Sequence, residues 1–247
     1  MSGGKDNPVL TGNRFSFWMP RQPDDSSCGP TCLHAVYQFY RDKVPVEQIM
    51  AEVQSLEGGG TLAVALARHA LSRGYRAIIY TYNLQLFDPT WFAKGSANIT
   101  DKLVQQAEEK GDPKLQVATG MYLDFLEAGG ILRFEELGPG LIRKHLKRNQ
   151  PILTGLSATY LYEAIRETEG PQPVDDDVRG HPVGHFVVLC GYDRAKREVV
   201  VADPLHDNPR FGTHSYSVSI ERVLGAILLG VLTYDANLLV LERPRPT

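Results

Sequence analysis

Apolar residues recur at helical spacing through the first half of the chain and gather into strand-like runs in its last third. Residues 13–19 (NRFSFWM) alternate polar and apolar positions, which predicts a short strand, and Pro20 to Ser27 follows as a polar loop. A helix is expected from about Cys28 to Asp42, with Pro30 in its first turn and Leu33, Val36, Tyr37 and Tyr40 on its apolar face. Further helices are predicted from Pro45, from Thr61 to just before Gly74, over 101–110, over 114–128 and over 141–149. Strands are predicted over 75–82, 131–134 and 151–156. Residues 157–169 are expected to be helical, and Gly170 to Gly184, with its acidic run Asp175 to Asp177, reads as a solvated loop. His185 to Tyr192 and Val199 to Asp203 are apolar and β-branched, and the charged turn between them makes a hairpin. A helix over 219–229 and a strand over 238–241 close the chain. Helices first and antiparallel strands later imply an α+β fold. The expected arrangement is a single domain, a helical half of about 20–150 followed by a sheet half of about 151–247.

Composition narrows the class. The 247 residues are 43% hydrophobic and 22% charged, ordinary globular proportions that exclude disordered, collagen-like and coiled-coil chains. A net charge of −3 argues against broad nucleic-acid or acidic-membrane binding, and the basic run from Arg143 to Arg148 fits the polar side of a helix. The longest apolar stretch, Val223 to Leu232, is interrupted by glycines and too short to span a bilayer. The first residues show no hydrophobic signal run. The expectation is a soluble, cytoplasmic protein with no membrane segment.

The three cysteines, Cys28, Cys32 and Cys190, suit neither a disulfide framework nor a four-ligand zinc site. Cys28 stands where the polar loop becomes a helix, so its thiol faces unpaired N–H groups and the positive end of the helix dipole, which favour thiolate. Gly29 leaves it uncrowded. Gln22, six positions earlier, has a side-chain amide able to fold back beside the sulfur as part of an oxyanion hole. His185 opens the hairpin as the candidate base, and Asp203 ends the partner strand as its orienting carboxylate. Both numbers are odd, so the two side chains share a sheet face only with an odd-length turn or a β-bulge.

Together the run Gln22-Pro-Asp-Asp-Ser-Ser-Cys28-Gly-Pro-Thr-Cys, then Gly184-His185-Phe-Val-Val-Leu, then Val199-Val-Val-Ala-Asp203-Pro204 resembles a papain-like cysteine peptidase. Among these it most resembles the bacteriocin-processing peptidases that cleave leaders after a double glycine, where Gln, Cys, His and Asp occur in this order. Gly60-Thr61, Leu66 and Gly74 fit that family's helical subdomain, and 83–113 stands out as an insertion. The resemblance implies a papain-like fold, a peptide or protein substrate, acyl transfer through a thioester at Cys28, and no cofactor.

Bland readings accompany these assignments. Cys32 and Cys190 are expected to be packing thiols. His181, His206 and His214 are expected in loops near the cleft, since Pro182 and Gly184 prevent a helix that would align His181 with His185 as metal ligands. The same site would also serve a peptidyl or γ-glutamyl transferase. A catalytically silent module that recognises a peptide in the same cleft is the alternative from another class.

Overall fold

The computed structural model describes residues 13–56, 60–170 and 172–243. The first twelve residues and two glycines of the triple glycine, Gly58 and Gly59, lie outside the described residues.

The predicted helices are present as α1 (Cys28–Phe39), α2 (Val46–Glu52), α3 (Ala63–Ser72), α4 (Ile99–Glu109), α5 (Pro113–Glu127) and α6 (Pro139–Leu146), then α7 (Ala158–Tyr162) and α8 (Ile220–Leu229). Their ends follow local chemistry. Pro30 sits in the first turn of α1, where no intrahelical N–H is needed. Asp112 caps α5 by accepting from the backbone N–H groups of Lys114 and Leu115. Gly74 lies beyond α3 at φ +82°, the left-handed conformation that ends a helix cheaply only for glycine.

The strands are β1 (Asn13–Arg14), β2 (Arg76–Thr81), β3 (Ile131–Arg133), β4 (Ile152–Ser157), β5 (Gly184–Asp193), β6 (Glu198–Ala202), β7 (Ser215–Ser219) and β8 (Asn237–Glu242). They form one sheet in the order β3-β2-β8-β4-β5-β6-β7, with β1 beside the far end of β5. All pairings are antiparallel except β2 with β3, so the sheet is mixed.

Three local expectations are corrected. Only Asn13 and Arg14 of the predicted 13–19 strand pair, because β5 offers them the short edge at Gly191 and Tyr192. Helix forms over α7 alone within 157–169; it stops at Glu163 in a left-handed turn, and Glu167 instead bridges to Asp175 and His181. The unpredicted β7 alternates exposed serines with buried Tyr216 and Val218, a half-buried edge strand whose small polar residues mask its period.

The sheet is covered on both faces. Leu33 and Val36 of α1, Leu66 of α3 and Phe125 of α5 pack against the face that carries Ile79, Leu153, Val188 and Leu239. Ile142 of α6, Leu161 of α7 and Val223 and Ile227 of α8 cover the face with Ile152, Val187, Leu189, Val201 and Leu238. Burial on both sides explains why β4, β5 and β8 read as nearly continuous apolar runs. Among the described residues, no helix is long and apolar enough to cross a membrane.

Candidate active site

The loop before α1 is tied to itself. Ser27 Oγ donates to the Asp24 carbonyl at 3.0 Å, and Asp24 Oδ1 accepts from the Ser26 backbone N–H and hydroxyl at 2.9 and 2.8 Å. Ser27 therefore occupies the N-cap position without capping the helix, and the N-terminal turn that begins with Cys28 has no side-chain cap hydrogen bond. Gly29 is required by packing: a Cβ there would lie 2.6 Å from Thr61 Cγ2 and 3.3 Å from Phe186 Cδ2. Its absence lets α1 settle against the start of α3 and against β5.

His185 and Asp203 meet through a bulge. The turn between β5 and β6 spans the four residues 194–197, an even length that by itself would put Asp203 opposite Val188, on the wrong face. The register shifts between Leu189 and Gly191, so Cys190 is an extra residue in β5, and beyond it Leu189 pairs with Val201 and Val188 with Ala202. His185 then shares the face of Val187 and Leu189, and Asp203 that of Val199 and Val201. His185 Nε2 lies 2.9 Å from Asp203 Oδ1, with both side chains almost wholly buried.

Asp203 is held from all sides. Its Oδ1 also accepts from the Leu205 backbone N–H at 2.9 Å, and its Oδ2 accepts from the hydroxyls of Tyr162 (2.6 Å) and Tyr216 (2.7 Å). Burial alone would raise this carboxyl's pKa; the His185 charge and these donors outweigh it and hold it below the ordinary carboxylate range. For His185, burial works downward, but the Asp203 carboxylate and its hydrogen bond lift the imidazole to about 10. Burial, followed by the Asp203 charge, drives both tyrosines well above the usual phenol range, so they serve as neutral donors.

Nδ1 is the ring nitrogen not taken by Asp203, and Cys28 is among the side chains whose hydrogen bonding and charge raise the imidazole. All three side chains are buried, and Asp203 is the most deeply so. Gln22 belongs to the same neighbourhood by its backbone, since its N–H donates to the Pro204 carbonyl at 3.0 Å. Its side-chain Nε2 donates to the Asp24 carbonyl at 2.9 Å within its own loop, while Oε1 is buried and unpartnered.

The other candidates fall elsewhere. Cys32 donates to the Phe186 carbonyl at 3.3 Å in full burial, which pushes its thiol pKa well up. Cys190 is buried, with its Sγ 3.7 Å from the Val200 carbonyl. The His206 and His214 rings lie 4.8 Å apart between centres and tilted by 34°, and the His214 carbonyl accepts from the Asp203 N–H. Among the described residues, no three His, Cys, Asp or Glu side chains converge as a metal site would require. Sequence reasoning missed Tyr162 and Tyr216. Tyr216 had one detectable signal, the alternation of SYSVS; nothing in the sequence marks Tyr162.

Residues 141–221 match the Peptidase_C39 like family, a segment that contains His185 and Asp203 and leaves out Gln22 and Cys28. No curated protein matches the chain. Among solved structures, a protein described as a C39-like peptidase from Bacillus anthracis shares 15% identity at a TM-score of 0.50, covering 97% of this chain and 100% of its own. Xylellain, a cysteine protease from Xylella fastidiosa, shares 15% identity at a TM-score of 0.45, over 96% of this chain and 87% of its own. A double-glycine motif protease from an AMS/PCAT transporter, solved with its leader peptide, shares 14% identity at a TM-score of 0.42, over 95% of this chain and 96% of its own. Over residues 141–221 this chain matches the Peptidase_C39 like family, and as a whole it shares the α+β fold of the C39-like protein from Bacillus anthracis.

Proposed function

We propose that the protein is a thiol-dependent hydrolase that cleaves a peptide or amide bond through Cys28, His185 and Asp203. The observation that carries this reading is the buried His185–Asp203 pair, whose imidazole is also influenced by Cys28 at a helix start without a side-chain cap. In the acylation step Cys28 Sγ attacks the substrate carbonyl carbon as its proton resides on His185. The C–N bond breaks and the imidazolium protonates the departing amine. In the second step His185 takes a proton from water, the hydroxide oxygen attacks the thioester carbon, and the C–S bond breaks to return the Cys28 thiol and release the acid. Asp203 fixes the ring's orientation and stabilises its charge in both steps. The backbone N–H of Cys28 and the Gln22 amide would receive the oxyanion, once Gln22 Nε2 exchanges its bond to Asp24 for the substrate oxygen. The substrate is a peptide or protein, and the thiol chemistry suits a reducing, cytoplasmic setting.

The test is alkylation by iodoacetamide near neutral pH, followed by mass spectrometry, alongside peptide turnover. Cys28 is expected to react selectively and faster than a small free thiol, and Cys28→Ala to abolish turnover while keeping the fold. Turnover that survives Cys28→Ala overturns the reading, as does a Cys28 that alkylates no faster than free cysteine. An added amine nucleophile separates the two thioester fates: acid alone marks a hydrolase, and an amide of the amine marks a transferase.

A further inference from the structure

The turn from Asp203 to Asp207 serves two sides of the site at once. Inward, the Leu205 backbone N–H donates to Asp203 Oδ1 at 2.9 Å. Outward, the same turn holds the segment that leads to Gln22. Met19 is buried in the core, and its carbonyl lies 3.3 Å from His206 Nε2; a carbonyl only accepts, so the ring donates. The Arg21 guanidinium pairs with the Asp207 carboxylate, and the Gln22 backbone N–H donates to the Pro204 carbonyl at 3.0 Å. Met19, Arg21 and Gln22 are thus each tied to a different residue of the turn.

The loop that contains this turn is itself well fixed. It closes through the Asp203 N–H, which donates to the His214 carbonyl at 2.9 Å. Asn208, buried, staples the inside: its Nδ2 donates to the carbonyls of Leu205 and Thr213 at 3.0 and 2.9 Å, and its Oδ1 accepts from the Phe211 N–H at 2.8 Å. The Phe211 ring stacks on Tyr216 at 3.8 Å between centres, and the Tyr216 hydroxyl reaches Asp203. The Gln22 side chain is held far less firmly. Its Nε2 has one bond, to the Asp24 carbonyl, and its buried Oε1 has no partner. The backbone of Gln22 is pinned while its amide is left to change partners.

We propose that His206 and Asp207 are positioning residues for the oxyanion arm: by tying Met19 and Arg21 to the turn after Asp203, they hold the Gln22 backbone where its amide reaches the substrate carbonyl oxygen. This rests on the reading of Gln22 as an oxyanion donor. A donor on a loose segment must be ordered as the reaction proceeds, and that cost is subtracted from the stabilisation it gives the transition state. Alone, the exposed Arg21–Asp207 pair contributes little. Joined to the His206 bond and the Gln22 backbone bond, it completes three ties within the four residues 19–22. One turn then sets both the carboxylate that orients His185 and the arm that receives the oxyanion, so the two halves of the site share one frame.

The experiment compares wild type with His206→Ala, with Asp207→Arg, and with the charge swap that combines Arg21→Asp and Asp207→Arg. In peptide turnover kcat is expected to fall roughly 3- to 10-fold in each single variant with KM little changed, short of the about 10²–10³ that follows outright loss of an oxyanion donor. The swap should recover most of the Asp207→Arg loss. Iodoacetamide displaces iodide at a methylene carbon and puts no charge on a carbonyl oxygen, so alkylation of Cys28 should keep its wild-type rate. A kcat unchanged in either single variant, an alkylation rate that falls with kcat, or a swap that recovers nothing overturns the proposal. Hydrogen exchange at the Gln22 backbone N–H is a readout that needs no substrate. Its protection is expected to drop about 10-fold in the single variants while the Asp203 N–H stays protected. Unchanged protection at Gln22 overturns the proposal, as does an equal loss at Asp203, the mark of a loop that has simply unfolded. A wild type that cleaves no peptide counts against the hydrolase reading alone, and exchange at Gln22 still decides whether the ties hold the arm.

Discussion

His185 Nε2 and Asp203 Oδ1 are 2.9 Å apart because β5 contains one residue more than its partner strand across the bulge. Cys190 is that residue, and it enters the pairing by its position in the count. Its sulfur is buried in the core and lies 3.7 Å from the Val200 carbonyl. Cys190→Ala is therefore expected to keep the His185–Asp203 bond and cost about 1 kcal/mol of stability. Deleting Cys190 turns the bulge into a regular ladder with Leu189 still opposite Val201, so the bond survives there too, at a cost of roughly 1–3 kcal/mol for the lost packing. Denaturant unfolding measures the cost, and the raised titration of His185 reports the bond. A His185 that titrates near 6.5 in the deletion variant would show that the bulge geometry itself, beyond register, is needed.

Asp203→Asn removes the charge on which the elevated His185 pKa depends. Because the folded pKa of about 10 lies above the ordinary 6.5, the pair's stabilisation is complete below pH 6.5 and is lost as pH rises through 10. The Asp203 pKa is depressed, so at the acid end the same stabilisation is present above 3.8 and fades as pH falls through the lower folded value. The gap between wild type and Asp203→Asn is expected to be about 3–5 kcal/mol near pH 6. It should narrow clearly by pH 10, with turnover lost throughout. Guanidinium unfolding at the two pH values checks this, and a gap of constant size would contradict an imidazolium–carboxylate pair.

Gly29→Ala should act through packing. The added methyl meets Thr61 Cγ2 at 2.6 Å and Leu66 Cδ1 at 3.2 Å, so the first turn of α1 must shift, at a cost of roughly 1–3 kcal/mol. Thr61→Ser removes the obstructing methyl and keeps the hydroxyl that donates to the Gln54 carbonyl. In a double-mutant cycle it is expected to restore at least about 0.5 kcal/mol, together with the alkylation rate of Cys28. Purely additive losses would mean that the strain is relieved elsewhere.

Much of the site was legible because its parts are local. A proline two residues after Cys28, a preceding polar loop and a helical apolar stripe define a helix start within a dozen residues. The β5–β6 hairpin is equally local, two β-branched runs around a charged turn. The reading faltered where distant partners decide the outcome. The 157–169 segment has helical character, yet Glu167 pairs with residues on both arms of the following loop and only α7 forms. At Gln22 the competing partner is local: its side-chain amide donates to the Asp24 carbonyl two residues on.

By itself the sequence determined the element types, the placing of Cys28 at a helix start and the chain order of Gln22, Cys28, His185 and Asp203, because periodicity and capping act over a few residues. Whether His185 and Asp203 share a face was decided only in the tertiary structure, because the ladder chooses between a regular register and a bulge through its cross-strand contacts. The two tyrosines on Asp203, and the ties of Met19 and Gln22 to the turn after it, are likewise tertiary: they join residues from separate parts of the chain whose proximity arises only once the strands are ordered in the sheet.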